Sequence, residues 1–227
     1  MKFAISFLYL FFMLILCDLH AQDWPNFNRY RQDNYRVGMP SENENRIVFM
    51  GNSITEGWSN VYPEFFNGKP YINRGISGQT TPQMLVRFRA DVIDLKPKAV
   101  VILAGTNDIA GNTGPSTVKM ITDNIFSMAE LAREHNISVI ISSILPVYQY
   151  SWIEEDIDPV PIISRLNAII KNYALKNGHI YLDYYSAMVD ERMGLMEKYT
   201  PDGVHANKAG YKVMSALAEN AIIEALK

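Results

Sequence analysis

The chain has 227 residues and a mass of 25.8 kDa, which is enough for one well-buried domain or at most two small ones. Its content of 48% hydrophobic and 20% charged residues is that of an ordinary globular protein and excludes a disordered or low-complexity chain. The formal net charge of −3 provides no strongly basic surface, so we expect no nucleic-acid partner and no electrostatic binding to anionic membranes.

Residues 1–21 are predicted to be a signal peptide and not part of the fold. A nearly unbroken apolar run covers 3–16, and Ala21 supplies the small residue at which signal peptidase cuts. The run is shorter than the about 20 residues that a membrane-spanning helix needs. We therefore expect export to the periplasm or the cell exterior without stable membrane insertion. Cys17, the one cysteine of the sequence, offers the alternative of a lipoprotein, although Leu16 stands where a small residue usually precedes a lipidated cysteine.

Residues 22–45 are polar but contain four aromatic residues. We predict an N-terminal extension that packs on the main domain, 46–227, and buries its aromatic rings. A platform that stacks against sugars is the alternative interpretation. The four residues are Trp24, Phe27, Tyr30 and Tyr35.

From residue 46 onward, short apolar runs alternate with segments of helical periodicity. Apolar runs predict strands at 47–50, 99–104, 137–145 and 180–183, and Tyr71–Ile72 leads into a glycine-containing turn. Periodicity and capping residues predict helices at 82–95, 116–135, 162–176 and 208–226. This alternation is typical of a parallel sheet with helices on both faces, in which ligands bind at the carboxyl ends of the strands.

Four polar blocks lie at these strand ends or just before the last helix. They are Gly51–Thr55, Asn73–Thr80, Gly105–Asp108 and Asp202–His205. Each block alone has an ordinary explanation, because Ser53 can cap a helix, the second block can be a tight turn and Asn107 can form an Asx turn. Of the four histidines, only His205 has an acid three residues away in a loop rich in turn-forming residues.

Taken together, in this order and across about 155 residues, the four blocks resemble those of the SGNH hydrolases, also called GDSL-type esterases. The second block and the helix after it are most similar to the branch that resembles platelet-activating-factor acetylhydrolase. Asn52 is a departure, because the family usually has aspartate there. That position is not catalytic in the family pattern.

The resemblance implies a three-layer α/β/α sandwich, flavodoxin-like, with about five parallel strands. It implies Ser53 as the nucleophile, His205 as the base and Asp202 as the residue that orients the imidazole. The implied oxyanion hole consists of the Ser53 and Gly78 backbone N–H groups and the Asn107 side-chain amide. No metal and no organic cofactor is required.

The function that follows is a secreted serine esterase acting on short acyl esters, with the O-acetyl groups of carbohydrates as the expected substrates. The loop at 147–161 is acidic and aromatic, which favours a polar substrate over a lipid. A lysophospholipase or short-chain lipid esterase is the alternative within the same chemistry. Two interpretations without catalysis are a carbohydrate-binding protein and a flavin- or nucleotide-binding module, and the second would leave Asp202 and His205 without a role.

Overall fold

The computed structural model describes residues 22–153 and 157–227. The predicted signal peptide, its cleavage site and Cys17 therefore lie outside the described residues. Within these ranges, no helix is long and apolar enough to cross a membrane.

In the described part of the chain, five short strands form one parallel sheet in the order β2-β1-β3-β4-β5. The strands are β1 (Ile47–Gly51), β2 (Tyr71–Gly75), β3 (Ala99–Leu103), β4 (Ser138–Ser142) and β5 (Ile180–Leu182). This is the flavodoxin order of a doubly wound sheet, so the predicted fold class is confirmed. The strand predicted at 137–145 is shorter than expected, because its pairing with β5 ends at Ser142.

Helices connect the strands and cover both faces of the sheet. They are α1 (Asn28–Val37), α2 (Ser53–Val61), α3 (Thr81–Asp91), α4 (Thr106–Ile109), α5 (Val118–Glu134), α6 (Pro159–Lys176), α7 (Tyr185–Met188) and α8 (Lys208–Ala225). The predicted cap of α5 is confirmed at Thr117, whose side chain accepts from the Met120 N–H. Helix α6 begins earlier than predicted, because Asp158 caps it and proline follows at the first helical position.

The apolar core has two halves, one on each face of the sheet. Because side chains alternate along a strand, Val48 and Met50 of β1 face one side while Ile47 and Phe49 face the other. Helices α3, α5 and α6 pack on the first side. Helices α2 and α8 pack on the second side. The central strands are therefore buried on both faces, as their continuous apolar runs predicted.

The prediction that the N-terminal segment buries its aromatic rings is wrong for three of the four, because only one of them is buried. Tyr30 is 6% exposed, whereas Trp24, Phe27 and Tyr35 are 40%, 37% and 89% exposed. Helix α1 contacts the body through one face only, on which Tyr30 and Asn34 lie four residues apart. The Tyr30 hydroxyl donates to the carbonyl of Gly75, at the end of β2. Tyr35 lies next to Asn34 in the helix and so points away from the body.

Helix α2 packs on its neighbours through an aromatic cluster. The Trp58 ring stacks on Phe65 at 4.7 Å and on Tyr211 of α8 at 5.4 Å, and it meets the edge of Phe49 from β1. The Tyr211 hydroxyl donates to the carbonyl of Ile54 at 2.8 Å. These contacts fix the first turn of α2 against both β1 and α8.

Candidate functional site

The first three polar blocks start from one edge of the sheet. Gly51, the last residue of β1, is paired in register with Gly75 of β2 and Leu103 of β3. Three neighbouring strands therefore end side by side, and the segments that follow β1, β2 and β3 carry Ser53, Gly78 and Asn107, respectively. The register of the sheet accounts for the convergence of residues that lie far apart in the sequence.

Ser53 is the first residue of α2, and Asn52 is the residue that caps this helix. The Asn52 side chain, which is 1% exposed, accepts from the Ile54 N–H at 3.1 Å. The alternative in which Ser53 itself is the cap is therefore wrong, and the Ser53 hydroxyl is free for another partner. Asn52 makes the helix-capping hydrogen bond that an aspartate at this position would also accept.

Two glycines let the first turn of α2 lie directly on the strand ends. A Cβ at Gly75 would lie 2.1 Å from the Glu56 nitrogen, and a Cβ at Gly51 would lie 2.0 Å from the Thr55 hydroxyl oxygen. Neither distance is compatible with a side chain. The position of Ser53 above the sheet edge is thus fixed by backbone packing.

Ser53, His205 and Asp202 form a continuous hydrogen-bonded chain. The distance from Ser53 Oγ to His205 Nε2 is 2.9 Å, and that from His205 Nδ1 to Asp202 Oδ2 is 2.7 Å. Residues 152 positions apart in sequence are thus brought into direct contact. The His205 and Asp202 side chains are 37% and 39% exposed, so solvent and a ligand can reach the chain of contacts.

The Asp202 carboxylate is held by its own loop. One of its oxygens accepts from the backbone N–H groups of Val204 and His205 at 2.9 and 2.8 Å, while the other contacts the imidazole. Burial raises the pKa of Asp202, but these backbone bonds and the histidine outweigh it, so the net pKa lies below the ordinary value. The carboxylate is therefore ionised at neutral pH and orients an N–H of the imidazole toward itself.

The glycine block and Asn107 contact each other beside the hydrogen-bonded Ser53, His205 and Asp202. Gly78 has a φ of +76° in a turn closed by a hydrogen bond from the Gln79 N–H to the Ile76 carbonyl. The Asn107 amide donates to the Gln79 carbonyl at 2.9 Å. An asparagine amide carries two N–H groups, and this contact uses one of them. The described contacts include no hydrogen bond from Gly78 or Asn107 to Ser53, and these residues are related to it through the register of the strands.

One aromatic residue beside the site was not singled out from the sequence. The Trp152 ring lies 6.3 Å from the His205 ring, and the residue is 46% exposed. Behind it, 5.3 Å away, lies Tyr150, whose buried hydroxyl shares a 2.8 Å hydrogen bond with the Thr106 hydroxyl. The aromatic character of the segment was visible in the sequence, but the position of Trp152 beside His205 depends on the fold.

A buried polar group behind the glycine block was also missed. Arg87 of α3 is fully buried and contacts Gln79, Asp91 and the Gly51 carbonyl. Within 22–153 and 157–227, no group of three or more histidine, cysteine, aspartate or glutamate side chains is arranged to hold a metal ion.

Known proteins share this architecture. Residues 49–213 match the model of the GDSL-like lipase/acylhydrolase family, a range that includes every candidate residue above. The crystal structure of a GDSL-like lipase from Bacteroides thetaiotaomicron VPI-5482 is 47% identical, with a TM-score of 0.87, and the match covers 89% of this chain and 100% of that one.

Two curated relatives match more distantly. An acetylxylan esterase from Xylanibacter ruminicola is 24% identical over 222 residues, which are 82% of this chain and 45% of that protein. The lipoprotein YqeF from Bacillus subtilis is 35% identical over 120 residues, 45% of this chain and 49% of the lipoprotein. The chain thus spans about half the length of the curated relatives it matches.

Proposed function

Because the chain belongs to the GDSL-like lipase/acylhydrolase family, we propose that it is a carboxylic ester hydrolase that cleaves short acyl esters through an acyl-enzyme on Ser53. The observation that carries this proposal is the unbroken contact from Ser53 Oγ through His205 to Asp202, at 2.9 and 2.7 Å. A serine hydroxyl is a weak nucleophile at neutral pH and needs such a base.

In the first half of the reaction, His205 Nε2 takes the hydroxyl proton as Ser53 Oγ bonds to the acyl carbon. The tetrahedral intermediate then expels the alcohol oxygen, which takes the same proton from His205. In the second half, water attacks the acyl-enzyme and loses a proton to His205. The second tetrahedral intermediate then expels Ser53 Oγ, which takes that proton back from His205 as the acid is released. Asp202 keeps the imidazole in the required tautomer and stabilises its charged form without taking the proton itself.

The negative charge that develops on the carbonyl oxygen needs fixed donors. We assign this role to the backbone N–H groups of Ser53 and Gly78 and to the Asn107 amide. The Ser53 N–H belongs to the first turn of α2, where backbone N–H groups have no partner within the helix. Positioned donors of this kind are commonly the largest single contribution to catalysis.

For the substrate, we propose acetyl esters of carbohydrates. An exposed indole ring beside the catalytic base offers a flat apolar surface of the kind on which a sugar ring stacks, and Trp152 occupies that position. The similarity to an acetylxylan esterase supports the same substrate class. An exported protein would meet such polymers, and the similarity to a lipoprotein supports export.

The nucleophile is tested with Ser53→Ala on p-nitrophenyl acetate. We expect hydrolysis to disappear while circular dichroism and the melting temperature stay near wild type, because only the hydroxyl is removed. Ser127→Ala makes the same chemical change on α5 and should keep full activity. Retained activity in Ser53→Ala would end the assignment.

The substrate class is tested with Trp152→Ala. We expect kcat/KM on acetylated xylo-oligosaccharides to fall about tenfold, the loss of one stacking contact, with p-nitrophenyl acetate nearly unaffected. Trp24→Ala, which alters a similarly exposed tryptophan in the N-terminal segment, is the control. A wild-type enzyme that prefers long-chain p-nitrophenyl esters or lysophospholipid would instead support the lipid esterase.

A further inference from the structure

A buried ion pair lies behind the proposed oxyanion donors and takes no part in the proton relay. The side chains of Arg87 and Asp91, one turn apart on α3, are 0% and 3% exposed and 2.9 Å apart. Desolvation cancels much of the attraction in such a pair, so stability alone is a poor reason for it to be there. The other contacts of Arg87 therefore indicate what role the pair has.

The guanidinium of Arg87 joins two segments of the proposed site. Its Nη2 donates to the Gly51 carbonyl at 3.0 Å, two residues before the nucleophile. Its Nε donates to the Gln79 side-chain oxygen at 2.5 Å, directly after Gly78. Because the guanidinium is planar and rigid, these two contacts hold the end of β1 and the glycine turn in a fixed position relative to each other.

Gln79 extends this connection to the third donor. Its backbone carbonyl accepts from the Asn107 amide at 2.9 Å, so the orientation of that amide follows the position of Gln79. Its side-chain amide donates to the Pro25 carbonyl at 2.7 Å, which also ties the turn to the N-terminal segment. Gln79 is 3% exposed, so these bonds are shielded from solvent in the folded protein.

We propose that Arg87 is a positioning residue for the oxyanion hole, acting through the Gly51 carbonyl and Gln79 on the three donors. The inference depends on the function proposed above, because it takes Ser53, Gly78 and Asn107 as those donors. Oxyanion stabilisation depends on donors held at hydrogen-bond distance from the developing charge, and a displacement of about 1 Å can cost a hundredfold in rate. Arg87 itself does not contact the substrate.

The test is a double-mutant cycle between Arg87→Lys and Asn107→Ala, with p-nitrophenyl acetate as the substrate. Lysine keeps a positive charge beside Asp91 but its single ammonium group lacks the planar fork that spans Gly51 and Gln79. We expect Arg87→Lys to lower kcat roughly 10- to 100-fold with KM changed less than about threefold. In the double mutant, the loss should be far smaller than the product of the two single losses, because the hole is already impaired.

A second variant keeps the test available if Arg87→Lys does not fold. Gln79→Met has a side chain of similar length without polar atoms, and it leaves the ion pair with Asp91 in place. It should show the same kcat loss and the same non-multiplicative coupling to Asn107→Ala. In both variants, the pH dependence of kcat/KM should match wild type, because neither residue contacts His205 or Asp202.

Ile170→Val, a core change in α6, controls for loss of stability. A folded Arg87→Lys or Gln79→Met with wild-type kcat, or losses that multiply with Asn107→Ala, would overturn the positioning role. So would an equal kcat loss in Ile170→Val at matched melting temperature. Failure of the underlying function is seen separately, as activity retained by Ser53→Ala.

Discussion

The two halves of the candidate site are built in different ways. The half that carries Ser53, Gly78 and Asn107 lies at three adjacent strand ends and is backed by the fully buried Arg87. The half that carries Asp202 and His205 is one partly exposed loop whose internal hydrogen bonds join residues no more than three positions apart. The first half depends on the whole fold, whereas the second is organised largely by its own sequence.

This difference indicates which half sets which property of the enzyme. A static oxyanion site gains from rigid, buried support, because its donors must be in place before charge develops. An imidazole that gives and takes protons gains from a local carboxylate and access to water. We therefore expect substitutions in the two halves to differ in size, in kinetic signature and in pH dependence.

Apart from removal of the nucleophile itself in Ser53→Ala, the largest effect is expected in the loop half, from Asp202→Asn. The amide can still accept from the Val204 and His205 N–H groups, but it presents a donor to His205 Nδ1 and so favours the wrong tautomer. We expect kcat to fall on the order of 10⁴-fold with the fold intact, measured by steady-state hydrolysis of p-nitrophenyl acetate.

Asp190→Asn is the matched control for that substitution. The Asp190 carboxylate also accepts from two backbone N–H groups of its own loop, those of Arg192 and Gly194, and it has no contact with a histidine. Its replacement should leave kcat near wild type. A large loss in Asp190→Asn, or a small one in Asp202→Asn, would remove the distinction between capping a loop and orienting the base.

In the strand-end half, Asn107→Ala is expected to lower kcat by about 10²–10³-fold while KM changes little. Asn112→Ala is the comparison, because the Asn112 amide touches the same turn, through the Gly78 carbonyl, from its exposed side. We expect its effect to be only a few-fold. A change in KM alone for Asn107→Ala would assign that residue to substrate binding.

A smaller effect is expected on stability, whose dependence on pH should have opposite signs in the two halves of the site. Burial raises the pKa of Asp108, which follows Asn107, to about 6, although hydrogen bonds from Thr81 oppose the shift. The folded state therefore holds a proton that the unfolded chain loses near pH 4, so stability falls as pH rises between these values. Asp202 acts in the opposite direction, because its lowered pKa contributes stability that is lost in acid.

Urea unfolding of wild type and Asp108→Asn at pH 4 and pH 7 tests this expectation. The free energy of unfolding of the wild type, relative to the variant, should drop by about 2 kcal/mol over that interval. Asp123→Asn, at an exposed aspartate of α5, controls for general charge effects. A difference between wild type and Asp108→Asn that does not vary with pH would contradict the raised pKa of Asp108.

The sequence predicts the parallel sheet well, and it predicts that the polar blocks lie at one edge of that sheet, because both follow from local patterns. Continuous apolar runs ending in glycine mark the buried strands, and the blocks at their ends share one edge by the geometry of parallel sheets. The contact between Ser53 and His205 was expected from the resemblance to a family and is present at 2.9 Å. Their catalytic roles remain predictions.

What the sequence did not predict depends on long-range contacts between ordinary residues. Nothing in the pattern of α3 distinguishes Arg87 from an exposed helical arginine, yet it is fully buried. Helix α1 is too polar to show a clear apolar stripe, and its docking relies on hydrogen bonds made by Tyr30 and Asn34 and on an ion pair between Arg29 and Glu56. The prediction that all four aromatic rings of this segment are buried was wrong because no such stripe shows which side of the helix faces the domain.

The two glycines that end β1 and β2 constrain how this chain can vary over evolutionary time. Because Gly51 and Gly75 leave no room for a Cβ, the backbone of α2 and the two strand ends must keep their mutual spacing. We therefore expect an insertion or deletion between Gly51 and the first turn of α2 to break that fit. Position 53 is thereby held at one place above the strand ends, whichever side chain it carries.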